Sequence, residues 1–225
     1  DDIHACYGID KSRIDVVYNG ASSLFSRSDE ASLANFRQKK MEGRPWFVYV
    51  GALHPRKNIG RLLEAFDAFK HNDNQGYRLV IIGRKAWQTE ELEATYSALK
   101  HREDVVFTGR ISDEEMVPYL SGATALTYLP VFEGFGLPIL EAFQCGTPAI
   151  TSNVSSLPEV AGAGALVVDP FSVEAIAKAM LQMTQDHSLE QKLRKAADAR
   201  AKDFSWDRTA EAVWQSIEKV IFGRA

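Results

Sequence analysis

The chain has 225 residues, 45% of them apolar and 25% charged, with a formal net charge of −4 and a pI near 5.8. That length can bury a core as one large domain or a small pair, and the composition is that of an ordinary globular protein. The acidic balance argues against a nucleic-acid binder, which carries a basic excess, yet leaves room for a local basic pocket facing an anionic small molecule. In chain order, "IDVVY" (14–18) reads as a first strand and "NGASSLFSRSDE" (19–30) as a polar, turn-rich linker. "WFVYVGA" (46–52) is a strand, followed by a helix in "NIGRLLEAFDAF" that sets Ile59, Leu62, Leu63, Phe66 and Phe69 on one face. "YRLVIIG" (77–83) and "DVVFTG" (104–109) are strands, and "ISDEEMVPYLSG" opens a helix with a capping box between Ser112 and Glu115. "ATALTYL" (123–129), "TPAIT" (147–151) and "GALVVD" (164–169) complete the strands, with a helix entered at Pro138 and a short Pro-Glu-Val helix between them. Two amphipathic helices follow, in 171–186 and 188–204, and a last one in 205–222 stops before Gly223.

The strands are mostly apolar throughout rather than alternating, as strands covered on both faces are. Strand alternating with helix predicts an α/β fold, a Rossmann-like parallel sheet with helices on both faces. Ligands bind such sheets at the carboxyl ends of the strands, so the loops 51–58, 83–88 and 130–138 are the ones to inspect.

In "GALHPRKN", Gly51 ends a strand and Asn58 is a candidate N-cap. Arg56 and Lys57 stand just before it, where two cations beside a helix N-terminus suit a phosphate. The same residues also fit a solvated basic loop, and His54 fits an ordinary loop residue as well as a ligand contact. In "IIGRKAW", Gly83, Arg84 and Lys85 fit either anion contacts or surface charge. "FTGRIS" offers the backbone of Gly109 and Arg110, as other loops could. In "VFEGFGLPILEAFQCGTP", Gly134 and Gly136 admit a close approach of backbone to ligand. Glu133 lies in this loop and Glu141 one turn inside the helix, among Ile139, Leu140, Ala142 and Phe143. A carboxylate there is costly unless hydrogen-bonded, and a pair of sugar hydroxyls would satisfy it. The competing reading is that both acids favour the helix N-terminus electrostatically. Ser155 and Ser156 before the Pro-Glu-Val helix read as caps.

Two cysteines, Cys6 and Cys145, form neither a metal spacing nor a disulfide framework; Cys145 reads as a small buried apolar residue. No metal site is expected, and a reducing cytosolic compartment is the default. There is no Walker-type loop and no nucleophile elbow. No apolar run approaches the ~20 residues that span a bilayer, and no signal peptide is apparent. The chain opens on "DDIHACYGID" without a methionine, which suggests a fragment.

Taken together, "GALHPRKNIGRLLEAF", "RLVIIGRKAW", "VVFTGRISDEEM", "LPVFEGFGLPILEAFQCGTPAITSNVSSLPEVAGAGALVVDP" and "FSWDRTAEAV" resemble the C-terminal half of a retaining family 4 glycosyltransferase of the type-B two-domain fold. The Glu-x7-Glu segment with its Gly-Phe-Gly is the most specific part. The resemblance implies one C-terminal nucleotide-sugar-binding domain over 1–225. Residues 1–28 would be the crossover from a preceding acceptor domain, and 206–222 a helix returning to pack on that domain. It implies that Glu141 holds the ribose hydroxyls and Glu133 the transferred sugar. The N–H groups of Phe135, Gly136 and Leu137 would reach sugar and diphosphate, and Lys57 would neutralise the leaving diphosphate without a metal. Donor contacts are also expected at Gly51, Arg84, Gly109 and Arg110. Many members carry an arginine where this chain has Ala52, and Arg56 is expected to replace it. The two glutamates are then not a glycosidase acid/base pair.

The "PRKN" loop with "EGFGLPILEA" looks most like bacterial mannosyltransferases that use GDP-mannose in polysaccharide and lipopolysaccharide assembly, with UDP-sugars as other candidate donors. The acceptor, a saccharide or a lipid-linked saccharide, would bind the missing half. The isolated chain is expected to bind donor and transfer little. The implied location is cytoplasmic, peripheral at the inner membrane face through the absent domain. Two rival classes share the features: a nucleotide-sugar 2-epimerase, told apart by donor incubation without acceptor, and a non-catalytic nucleotide-sugar-binding module.

Overall fold

The computed structural model describes residues 2–84 and 90–223. The chain forms two compact units, Ser22–Asp203 and a smaller one made of the two ends, Asp1–Ala21 with Phe204–Ala225. The division at residues 21 and 22 falls inside the predicted linker.

The large unit is built on six parallel strands: β1 (Trp46–Val50), β2 (Arg78–Ile82), β3 (Val105–Gly109), β4 (Leu126–Tyr128), β5 (Ala149–Ser152) and β6 (Ala165–Val168). Their order is β3-β2-β1-β4-β5-β6, the doubly wound arrangement. The predicted α/β class and parallel sheet are therefore found. All of β1, "WFVYV", is buried, and Trp46 satisfies its indole by donating to the Tyr119 carbonyl at 2.8 Å. Edge strands β3 and β6 are buried only at their first residues, Val105 and Ala165; Phe107 on β3 is exposed.

Among the described residues, eight helices connect the strands of this unit or flank them. They are α2 (Glu30–Met41), α3 (Ile59–Lys70), α4 (Glu90–Ala98), α5 (Asp113–Ser121), α6 (Leu137–Gln144), α7 (Leu157–Ala161), α8 (Val173–Gln185) and α9 (His187–Ala201). Helix α3 packs on α4 and α8, while α6 packs on α5, α7 and α9, so both faces of the sheet are covered. The apolar stripe read in the sequence is the buried face of α3: Leu62, Leu63, Phe66 and Phe69 are all inside. Phe69 meets Phe47 of β1 edge-on, with ring centroids 5.5 Å apart. The capping box at Ser112 forms as predicted, with both of its hydrogen bonds present.

The small unit holds α1 (Asp2–Tyr7) and α10 (Trp206–Phe222), the latter ended by Gly223 in the left-handed conformation, as the sequence suggests. The strand expected at 14–18 is absent, because no ladder partner reaches this segment among the described residues. Side chains of α10 tie it instead: Ser216 and Lys219 donate to the Asp15 carboxylate at 2.8 and 2.6 Å, and Thr209 to the Tyr18 carbonyl at 2.7 Å. Trp214, Ile217 and Ile221, three and four residues apart on one face of α10, are exposed, at 55%, 40% and 63%. Among the described residues no helix is long and apolar enough to cross a membrane.

Candidate functional site

The strand order reverses between β1 and β4, and the crevice of a doubly wound sheet opens there. Two loops flank it: 51–58 after β1 and 129–136 after β4. They bring Arg56 and Lys57 onto Glu133, across more than 70 residues of sequence. Residues Pro55–Lys57 form a single tight turn, whose start is capped by the His54 ring accepting from Arg56 N at 3.2 Å. The turn aims both cations at the second loop. Arg56 donates to Glu133 Oε2 at 3.0 Å and to the Phe132 carbonyl at 3.3 Å, and its own carbonyl accepts from Val131 N at 2.9 Å. Lys57 is only 8% exposed and donates both to Glu133 Oε2 and to the Tyr128 hydroxyl. Tyr128 in turn donates to Glu133 Oε2 at 2.8 Å.

Charge on this cluster follows from its surroundings. Burial acts to raise the Glu133 carboxyl, but hydrogen bonds from Lys57 and Tyr128 and the charges of Lys57 and Arg56 outweigh it, so Glu133 stays ionised well into acid. Burial lowers the proton affinity of Lys57 despite its bond to Glu133. A bound phosphate would reverse that loss, because a second anion favours the ammonium form.

The two helices that begin at the crevice differ from α2, α5, α8, α9 and α10. Helices α2, α5, α8, α9 and α10 each start with a Ser or Asp side chain accepting a first-turn N–H. Helices α3 and α6 start instead at left-handed residues, Asn58 and Gly136, with no side-chain cap and no acid in the first turn. Their N–H groups and dipoles point a positive end at whatever lies in the crevice. Asn58 is thus not the cap its sequence position suggests. Its left-handed backbone turns the side chain away, to donate to the Pro170 carbonyl at 2.7 Å and accept from Arg61 at 2.9 Å. Ser155 and Ser156 are not caps either. Ser156 Oγ donates to the Glu133 and Phe135 carbonyls, both at 3.0 Å, and Ser155 Oγ also meets the Glu133 backbone, so the two serines hold the Gly-Phe-Gly loop from beneath.

Gly136 has φ 106°, and a Cβ there would sit 2.8 Å from Leu157 Cδ2, so the start of α6 lies close over α7. Leu137 is part-exposed at that start. One turn on, Glu141 is half-buried, and among the described residues nothing donates a hydrogen bond to its carboxylate. Burial, reinforced by Asp113, pushes its pKa up to about 7. It is the acid that most needs hydroxyl donors.

Gly51, Gly83 and Gly109 stand at the carboxyl ends of β1, β2 and β3, all with positive φ. They form a row: Gly51 N donates to the Ile82 carbonyl at 2.9 Å and Gly83 N to the Gly109 carbonyl at 3.0 Å. Arg84 and Arg110 follow in this row, both exposed, and neither is hydrogen-bonded to the Lys57–Glu133 cluster. Lys85 lies outside the described residues. A cavity of about 350 Å³ is lined by Leu53, His54, Pro55 and Asn58 of the loop and by residues of α3 and α4, and none of Arg56, Lys57, Glu133 or Glu141 lines it. Among the described residues no group of three or more His, Cys, Asp or Glu could hold a metal ion. Tyr128 is the site residue that sequence reasoning missed; "ALTYLP" reads only as a buried strand.

Residues 32–200 match the family described as Glycosyl transferases group 1. The O-antigen chain mannosyltransferase B of Escherichia coli is 36% identical over 188 residues, covering 83% of this chain and 49% of that protein. The O-antigen chain mannosyltransferase RfbU of Salmonella typhimurium is 32% identical over 170 residues, covering 76% and 44%. The chain thus spans about half the length of the curated relatives it matches. Among solved structures, Anabaena Alr3699/HepE in complex with UDP superposes with a TM-score of 0.86 at 17% identity, covering 96% of this chain and 60% of that one.

Proposed function

Because the chain belongs to the glycosyl transferases group 1 family, we propose that it is the donor-binding half of a retaining hexosyltransferase, with GDP-mannose as the favoured donor. One observation carries the reading: two cations and two uncapped helix starts converge on the crevice at the strand-order reversal, beside a half-buried carboxylate that lacks donors. A nucleoside diphosphate sugar matches these elements in charge and hydrogen-bonding sense. Its diphosphate takes Lys57, Arg56 and the N–H groups of Phe135, Gly136 and Leu137. Its ribose hydroxyls donate to Glu141, and the transferred sugar meets Glu133. The strand-end backbone at Gly51, Gly83 and Gly109, with Arg84 and Arg110, receives the rest of the nucleotide. The mannosyltransferase names of two relatives favour mannose, while the UDP complex of a fold neighbour keeps UDP-sugars as the comparison donors.

The sugar leaves its diphosphate through an oxocarbenium-like state and is attacked on the same face by the acceptor hydroxyl, whose proton passes to the departing diphosphate. Lys57 and Arg56 stabilise the negative charge that grows on that leaving group, so catalysis rests on positioning and electrostatics rather than on a carboxylate nucleophile. No metal is required in this scheme, and chelator is expected to leave donor affinity unchanged. A preceding domain would bring the saccharide or lipid-linked acceptor, and the uncovered face of α10 would pack on it.

Calorimetric titration of the 225-residue chain with GDP, UDP and ADP, and with their hexose esters, tests the reading. Tightest binding of GDP-mannose is expected. Preference for a UDP-sugar would overturn the donor assignment, and absence of binding by all of them would overturn the donor site itself.

A further inference from the structure

One side chain touches both members of the Lys57–Glu133 ion pair, and it is neither charged nor exposed. Tyr128 ends β4 and is 1% exposed. Its ring stacks on that of Tyr49 in the neighbouring strand β1, with centroids 6.2 Å apart and planes 25° from parallel. Tyr49 is anchored in turn by donating to the Ala52 carbonyl at 3.3 Å. The direction of the Tyr128 hydrogen bonds is fixed by chemistry. An ammonium only donates and a carboxylate only accepts, so the hydroxyl must accept from Lys57 and give its single proton to Glu133. Burial raises the phenol pKa far above neutrality, so that proton is always present.

Glu133 Oε2 receives three donors: Arg56, Lys57 and Tyr128. Two of these are long cationic arms for which a diphosphate competes. The third is a ring wedged in the sheet, which cannot follow. We propose that Tyr128 is a positioning residue that keeps the Glu133 carboxylate aimed into the crevice when the donor's diphosphate draws Lys57 and Arg56 away from it. The proposal rests on the donor-site reading above. Without Tyr128, a part-buried carboxylate would lose all three partners at the moment the sugar arrives, and would either swing out to water or take up a proton.

The role separates two parts of the ligand. Tyr128 does not face the diphosphate directly, so it should govern the contribution of the sugar and leave that of the nucleotide alone. The measurement is the ratio of dissociation constants, GDP over GDP-mannose and UDP over UDP-glucose, by calorimetry on the 225-residue chain. In Tyr128→Phe, GDP and UDP affinities should stay within about twofold of wild type, while the sugar advantage falls about fivefold or more. The pH below which that advantage disappears should also rise, because Glu133 has lost one of the hydrogen bonds that hold its pKa down. A purely structural role would weaken both ligands together and leave the pH profile in place. Tyr128→His keeps a ring N–H to donate, so its ratio at pH 8 should lie nearer wild type. Unchanged ratios in Tyr128→Phe, equal ratios in the two variants, or a wild-type ratio near one overturn the proposal while the nucleotide site stands. Failure of wild type to bind any nucleotide overturns the donor-site reading and this proposal with it.

Discussion

Donor affinity should depend on pH near neutrality because of Glu141. In the empty crevice its carboxyl is pushed up to about 7, mainly by burial and further by Asp113. Ribose hydroxyls donate, so the nucleotide selects the carboxylate form. With that pKa, about a tenth of the Glu141 side chains are ionised at pH 6 and about nine tenths at pH 8. Affinity should therefore rise about tenfold across those two units, or about 1.4 kcal/mol. Titrations with GDP-mannose and UDP-glucose at pH 6, 7 and 8 read this directly, since a diphosphate esterified at both ends does not titrate in that window. Glu141→Gln should bind more weakly than wild type at pH 8, approach it at pH 6 and show no slope of its own. A flat wild-type profile would refute the ribose role. A slope that survives in Glu141→Gln would move the effect to another group. The same linkage acts on folding. Glu141 holds its proton more tightly folded than unfolded, so it favours the fold at acid pH, and that advantage is lost as pH rises from 4.5 through about 7. Without ligand, Glu141→Gln should accordingly melt higher than wild type at pH 8.

Lys57→Met should cost about 10- to 100-fold in GDP affinity, the range for losing a hydrogen bond to a charged group, and leave guanosine affinity unchanged. Equal losses for the two ligands would show that Lys57 supports the loop rather than the phosphates. Gly83→Ala should destabilise the fold by more than about 3 kcal/mol or prevent folding, because its Cβ would lie 1.8 Å from the Gly51 carbonyl oxygen. Gly109→Ala meets nothing within 4 Å and bears only the strain of its left-handed φ, about 1 kcal/mol. Urea unfolding midpoints compare them, and equal midpoints would contradict the crowding argument.

The central strands were legible because burial on two faces leaves continuous apolar runs, and α3, α5 and α10 because stripe, capping box and terminal glycine are local signals. Helix α2 buries only Leu33 and Met41, and α4 buries nothing, so neither carries a periodic stripe to read. The run at 14–18 looks like a strand but lacks a partner, and pairing is not written in a single segment. In the site, Arg56, Lys57 and Glu133 were legible as residue types in loops. Their meeting was not, because it depends on which strands become neighbours at the reversal. The partners of Asn58, Ser155 and Ser156 were misread for the same reason: a short polar side chain serves a local cap or a distant carbonyl equally well, and only the fold decides. Tyr128 was invisible because its ring obeys the rule for a core strand while its one polar atom serves the crevice.

The glycine row at the ends of β1, β2 and β3 constrains how such a site could change. At Gly83 no side chain fits, and at Gly51 a Cβ would meet the Tyr49 hydroxyl at 2.9 Å. At Gly83 the row is therefore closed to side chains: substitution there tends to remove the protein rather than alter its ligand, whereas Gly109 has room for a Cβ and bears only backbone strain. Under the donor-site reading, a change of nucleotide preference would have to be made at exposed positions beside that row, such as Arg84 and Arg110. Variant libraries meant to retarget the donor are best concentrated there, with the glycines held fixed.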